Sequence, residues 1–162
     1  MPQGGPLSVV CSNIYLDKLD KELEQRGLRF TRYADDVLIF TKSEMAANRV
    51  MKSICSWLER KLFLKVNATK TKVVRPTRSK YLGFTFLKNG SEWKVRPTNE
   101  KKKKLKKKLS EYLKRGKAVA RPLAVTIKRV NEIVRGWINY FRIGMMKQFM
   151  EEFGKWLRHK IR

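Results

Sequence analysis

With 162 residues the chain has room for one ordinary domain or two small lobes, which excludes a multidomain assembly. Its 39 Lys and Arg against 14 Asp and Glu leave a formal net charge of +25, beyond what solubility asks for, so a polyanionic partner is expected. Apolar residues at 42% with 10% aromatics argue against intrinsic disorder, and no apolar run approaches the roughly 18–20 residues that span a bilayer.

The opening Pro2-Gln3-Gly4-Gly5-Pro6 reads as a loop, because its prolines and glycines break helix and inner strand alike. Ser8 suits a helix N-cap, and Ile14, Leu16, Leu19 and Leu23 follow at roughly helical spacing to a stop at Gly27. Asp17 and Asp20 fall on this helix, where surface pairing with Lys18 or Lys21 is expected. Two β-rich runs, 28–33 and 37–41, flank Ala34-Asp35-Asp36 and predict a hairpin with carboxylates at its tip. A second helix, capped by Thr41 or Ser43, presents Met45, Val50, Met51, Ile54, Leu58 and Leu62 on one face. Short strands are expected at 63–66 and 71–74, and further strands at 80–87 and 93–95 around the turn signal Asn89-Gly90.

After Arg96-Pro97 the pattern becomes helical only. Residues 1–97 carry 19 basic and 9 acidic side chains (+10), whereas residues 98–162 carry 20 and 5 (+15), which sets the expected domain boundary at Pro97. Thr98 caps a helix whose stripe of Leu105, Leu109, Tyr112 and Leu113 ends at Gly116. A second helix, from about Leu123 to Phe141, aligns Ile127, Val130, Ile133, Val134, Trp137 and Phe141. A third, after Gly144, holds Met145, Met146, Phe149, Met150, Phe153, Trp156 and Leu157, and the three stripes bury one another as a small bundle. Cys11 and Cys55, with a single histidine at His159, support neither a disulfide framework nor a zinc site and are expected as buried small hydrophobes in a reducing compartment. The N-terminus lacks a basic-then-apolar signal segment, so a soluble, non-secreted protein is expected.

Adjacent Asp35 and Asp36 at a β-turn repel each other unless a cation sits beside them, and hard carboxylate oxygens suit Mg²⁺. An Asp-Asp pair also marks an ordinary solvated turn. The flanking residues favour the first reading: Tyr33-Ala34-Asp35-Asp36, after Phe30 and before Val37-Leu38-Ile39-Phe40, resembles the catalytic hairpin of reverse transcriptases. Pro2-Gln3-Gly4-Gly5-Pro6-Leu7-Ser8 with Ser12-Asn13-Ile14-Tyr15-Leu16 is similar to that family's template-positioning loop and helix, with Ser8-Val9 where members commonly have Ser-Pro. Asn67 with Lys70-Thr71-Lys72 is similar to the later lysine-bearing motif, and Tyr81-Leu82-Gly83-Phe84 to the hairpin at the base of the palm. Arg135-Gly136-Trp137-Ile138-Asn139-Tyr140-Phe141 is similar to the maturase-specific region, or thumb, of group II intron-encoded proteins.

The resemblance implies an α+β fold, with a partial reverse-transcriptase palm of β-hairpins and helices over 1–97 and an α-helical three-helix thumb over 98–162. It implies an RNA-directed DNA polymerase, a nucleotidyltransferase serving intron splicing and retrohoming, whose partners are group II intron RNA, an RNA template/DNA primer duplex and dNTPs. Two Mg²⁺ ions would align the reactants. Asp35 is implied as a metal ligand and Asp36 as its acidic neighbour; Ala34 would admit the primer end, and Tyr33 would brace the turn. Gln3, Gly4 and Gly5 would lie against template and nucleotide, and Lys70 would contact the triphosphate or protonate the departing pyrophosphate, unless it is simply a solvated lysine. The family's fingers and a further metal-binding aspartate lie upstream of the Pro2 segment. A chain starting at Met1 is therefore expected to be inactive alone and to self-associate through uncovered palm surface. It ends just past the thumb, with no DNA-binding or endonuclease segment expected.

Lys101, Lys102, Lys103, Lys104, Lys106, Lys107 and Lys108 are interrupted only by Leu105, and are expected to track an RNA or RNA/DNA backbone rather than to be a merely solvated face. Trp137, Tyr140 and Phe141 could stack on unpaired bases, but helical spacing puts Trp137 and Phe141 in the bundle core, with Tyr140 partly off that face. His159 is expected at the surface. Besides a polymerase, the residues fit a non-catalytic RNA-binding maturase fragment that assists intron splicing, or a relic reading frame with no stable product. The implied setting is a ribonucleoprotein in a bacterial cytoplasm, or in an organelle.

Overall fold

Helix α1 spans Pro6–Gln25 in the computed structural model, which describes residues 6–161. Pro6, expected in the opening loop, is instead helical, because its locked φ suits a first turn that needs no N–H from it. Ser8 consequently lies inside the helix and does not cap it. Gln3, Gly4 and Gly5 lie outside the described residues. At the other end Gly27, at φ +63°, stops the helix as expected: its N–H donates to Glu24 O at 2.8 Å, and that of Leu28 to Leu23 O at 3.0 Å.

Strands β1 (Arg29–Tyr33) and β2 (Asp36–Phe40) form an antiparallel hairpin in which Tyr33 pairs with Asp36 and Phe30 with Ile39. Helix α2 (Glu44–Leu62) follows, with Ser43 as its N-cap accepting from the Ala46 N–H. Leu16, Leu19, Leu23, Ile54 and Leu62 are buried together, with Phe30, Val37, Ile39 and Trp57 packed against them. Two helices thus cover one face of a two-stranded sheet, which could not be stable by itself. Tyr15 Oη donates to the Leu62 carbonyl, satisfying an acceptor at the end of α2. The apolar faces are shorter than the sequence pattern: Ile14 and Met45 are 70% exposed. Cys11 is exposed as well, contrary to the expectation of a buried thiol, because the core takes only the C-terminal half of α1. Cys55 is partly covered, and burial pushes its thiol up from the ordinary value.

No strand forms at 63–66 or 71–74 among the described residues, against expectation. Strand-like composition alone makes no sheet, and here the Asn67 side chain captures the backbone in a turn. The chain divides into two compact units after Val74. In the second unit, the single strand expected at 80–87 is two strands, β3 (Lys80–Tyr81) and β4 (Phe84–Asn89), joined through Leu82 and Gly83 at positive φ. Strand β5 (Glu92–Pro97) completes a meander in the order β3-β4-β5. Asn89 is the last residue of β4, paired with Glu92, so the turn is centred on Gly90 and Ser91.

Helices α3 (Asn99–Tyr112), α5 (Leu123–Phe141) and α6 (Lys147–Ile161) are the three expected, with an additional one-turn helix α4 (Arg115–Ala118). Thr98 caps α3 through the Lys101 N–H, whereas Gly116 is not the stop: the chain leaves α3 after Tyr112, and Gly116 lies within α4. Leu105, Leu109, Val130, Phe149 and Phe153 form the buried centre of these helices. Met145 falls outside that centre, at 51% exposure.

The meander packs with the helices and not apart from them. The Thr98 N–H donates to Gly83 O at 2.9 Å and that of Met145 to Val95 O at 2.8 Å. Phe84 lies 5.0 Å from Phe141 between ring centroids. Charge and helix content therefore change at Pro97, while the packing divides after Val74. No helix among the described residues is long and apolar enough to cross a membrane.

Candidate functional site

The β1–β2 loop has two residues, Ala34 and Asp35, so that Asp35 and the first residue of β2, Asp36, stand side by side at the end of the hairpin. Both are exposed, as is Tyr33, at 66%, on the strand opposite Asp36. Ala34 takes φ +53°, a left-handed conformation in which its Cβ is strained. Relieving this strain should stabilise the first unit. For Ala34→Gly, the left-handed penalty of ~1–2 kcal/mol exceeds the ~0.4–1 kcal/mol of added unfolded-chain entropy. A rise of a few degrees in thermal midpoint is expected, and an unchanged or lower midpoint would contradict the strained turn.

What holds this tip is a residue absent from the sequence reading. Arg32 donates through Nε to both Asp20 carboxylate oxygens, at 2.8 and 3.0 Å, and through Nη2 to Oδ2. Its Nη1 donates to Asn13 Oδ1 at 2.9 Å and to the Ala34 carbonyl at 3.0 Å. Asp20 therefore pairs with neither Lys18 nor Lys21, unlike Asp17, which meets Lys21 at 2.6 Å. The signal in the sequence was an arginine two residues after Phe30, the register that faces the core, where a charge needs a partner. An open groove of about 560 Å³ between α1 and β1 is lined by Asn13, Asp20, Phe30, Arg32, Tyr33 and Ala34 among others.

Lys70 is held in its own turn. Asn67 Oδ1 accepts from the N–H groups of Thr69 (3.1 Å) and Lys70 (3.2 Å) and from the Thr69 hydroxyl at 2.7 Å. The lysine itself is exposed.

In the second unit, the seven lysines of α3 divide into two groups. Lys101, Lys103, Lys104, Lys107 and Lys108 are exposed. Lys102 and Lys106 lie over aromatic faces of α6: Lys102 Nζ is 5.2 Å from the Phe149 centroid, and Lys106 Nζ is 6.0 Å from Phe149 and 5.7 Å from Trp156. Burial holds the Lys102 ammonium below the usual lysine range, with repulsion from Arg96 adding to the effect. Trp137 packs on the helical core and lies 4.6 Å from Phe141 between tilted rings, and Phe141 is buried against Phe84 of the meander, while Tyr140 is 54% exposed and donates through Oη to the Leu82 carbonyl at 3.0 Å. His159 is exposed.

Two adjacent carboxylates supply hard oxygens of the kind Mg²⁺ takes, though no group of three His, Cys, Asp or Glu suited to a metal occurs among the described residues. Compared with protein-family models, residues 1–86 match the reverse transcriptase (RNA-dependent DNA polymerase) family, and residues 102–162 match the group II intron, maturase-specific domain. No curated protein matches the chain.

Proposed function

The chain belongs to the group II intron reverse transcriptase/maturase family, and on that premise we propose that it binds structured intron RNA and contributes Asp35 and Asp36 to a two-Mg²⁺ nucleotidyl-transfer site. The substrates would be an RNA template, a DNA primer and dNTPs. The observation that carries this reading is the two-residue turn that sets both carboxylates at one exposed tip. Metal ions held there would stabilise the attacking and leaving oxygens of an in-line displacement.

The chain's own residues have distinct tasks. Asp35 and Asp36 would be the protein ligands. Ala34, small at the turn, leaves room for the primer end, and Tyr33 offers an exposed ring to its backbone. Lys70, projecting from the turn that Asn67 closes, would meet the triphosphate or give a proton to the departing pyrophosphate. Gln3, Gly4 and Gly5 would lie along template and nucleotide. Because two close cations repel, they need more carboxylate oxygens than this pair supplies, and the other ligands would come from outside residues 6–161. The test is primer extension on an RNA template by the chain alone and by the chain complemented with an acidic-strand-bearing partner; robust extension by the chain alone would overturn the shared-site reading.

A second reading, an RNA-binding maturase that assists splicing without synthesis, is favoured by the exposed lysines of α3, which ask nothing of the carboxylates. Under it, Asp35→Asn would leave intron splicing unchanged. The setting in either case would be a ribonucleoprotein, in a bacterial cytoplasm or an organelle. Leu7, Val9, Val10 and Ile14, each more than half exposed on α1, give copies a surface through which to associate. Sedimentation is expected to show concentration-dependent self-association, which a monomer at high concentration would refute.

A further inference from the structure

Arg32 stands on β1 opposite Val37, two residues from Phe30, on the face that packs toward the helices. Its side chain is 12% exposed, so its donors need acceptors within the protein. Two of these acceptors, Asn13 and Asp20, are seven residues apart on α1, which is close to two helical turns and places them on one face. A further acceptor is the Ala34 carbonyl. That oxygen belongs to the same planar peptide unit as the Asp35 N–H, and fixing it fixes the plane from which the Asp35 Cα departs.

We propose that Arg32 is a positioning residue, tying the Ala34–Asp35 peptide to Asp20 and Asn13 of α1 and thereby setting the direction in which the Asp35 carboxylate meets a divalent cation. The inference rests on Asp35 being a metal ligand. The planar guanidinium fork matters: it grips the Asp20 carboxylate through Nε and Nη2 while Nη1 serves both Asn13 and Ala34. A lysine would retain the attraction to Asp20 but has one ammonium where the arginine has three nitrogens in a rigid plane. The role is thus separable from that of a helix-to-hairpin ion pair. A merely structural pair tolerates lysine, whereas an orienting fork does not.

The test uses the 162-residue chain with Mn²⁺ as a paramagnetic probe, and reads the broadening of backbone amide signals at 33–37 together with the thermal midpoint. In the parent, broadening is expected to concentrate at these residues. Arg32→Lys should keep most of the midpoint yet weaken Mn²⁺ binding by about 10-fold or more, the scale on which residues that orient metal ligands act. Asn13→Ala, which removes one contact at the exposed end, should weaken binding by a smaller factor, and it decides the matter if Arg32→Lys does not fold. Asp35→Asn should abolish the local broadening. Parent-like Mn²⁺ affinity in both Arg32→Lys and Asn13→Ala, with loss in Asp35→Asn, would overturn the positioning role while leaving the metal reading intact. Unchanged broadening in Asp35→Asn would overturn both.

Discussion

Primer extension on an RNA template is expected to be absent from residues 1–162 alone, to appear on complementation with a partner that bears further acidic ligands, and to vanish again in Asp35→Asn. The first outcome follows from charge. In the proposed site Asp35 and Asp36 would bring two negative charges to two divalent cations, and the phosphates of the nucleotide would supply only part of the remainder. The last follows from the amide, which keeps the shape of Asp35 but gives no charge to a hard cation. With several kcal/mol of transition-state stabilisation at stake, the rate should fall by about a thousandfold or more. Affinity for RNA should stay close to that of the parent, because the substitution leaves the lysines of α3 unchanged. Full extension by the complemented Asp35→Asn protein would remove Asp35 from the site.

Replacing Lys101, Lys103, Lys104, Lys107 and Lys108 together by Gln should weaken RNA binding and flatten its salt dependence. Each cation that meets a phosphate releases about 0.7 of a condensed counterion on a single strand and about 0.9 on a B-form duplex, so five contacts would lower the slope of log affinity against log salt by up to about 3.5–4.5. The Lys107–Glu111 pair, at 3.9 Å and exposed, holds Lys107 back only weakly. The opposite result is expected for Lys102→Gln with Lys106→Gln. Both ammonium groups lie over Phe149 and Lys106 also over Trp156, so this variant should lose ~1–2 kcal/mol of stability while its salt slope stays near the parent's. Equal slopes for the parent and the five-lysine variant would count decisively against α3 as the RNA surface.

The elements legible in the sequence are those whose cause is local. Ser43 and Thr98 cap helices because an oxygen lies within reach of N–H groups a few residues on, and Gly27 stops α1 because it enters the left-handed region freely. Helix α5 has the bounds that its apolar spacing predicts, Leu123–Phe141. The hairpin tip was visible for the same reason: Asp35 and Asp36 sit between two short runs that can pair only with each other or a neighbour.

The misses depend on partners distant in the chain. A strand at 63–66 or 71–74 requires another strand beside it, and composition does not report one. Ile14 and Met45 keep helical spacing with Leu16 and Ile54 but extend past the area that the opposing elements cover. Whether a lysine of α3 faces water or an aromatic ring depends on α6, 43 to 50 residues later in the chain. The role of Arg32 is not legible in the sequence because its acceptors lie on α1, 12 and 19 residues earlier, and at the turn it helps to hold.

The bond from Tyr140 to Leu82 closes a span of 58 residues, and with Met145 N–H on Val95 O it stitches the strands β3–β5 to helices that follow them. Modularity in this chain therefore has two inequivalent meanings. The stretch that concentrates positive charge starts at Thr98, but the stretch that cooperates in folding starts before the meander. Recombination at Pro97 would transplant the lysines without Phe84, against which Phe141 is packed, and a graft of the lysine-bearing face into another protein has to begin near Arg75 to bring its own scaffold with it.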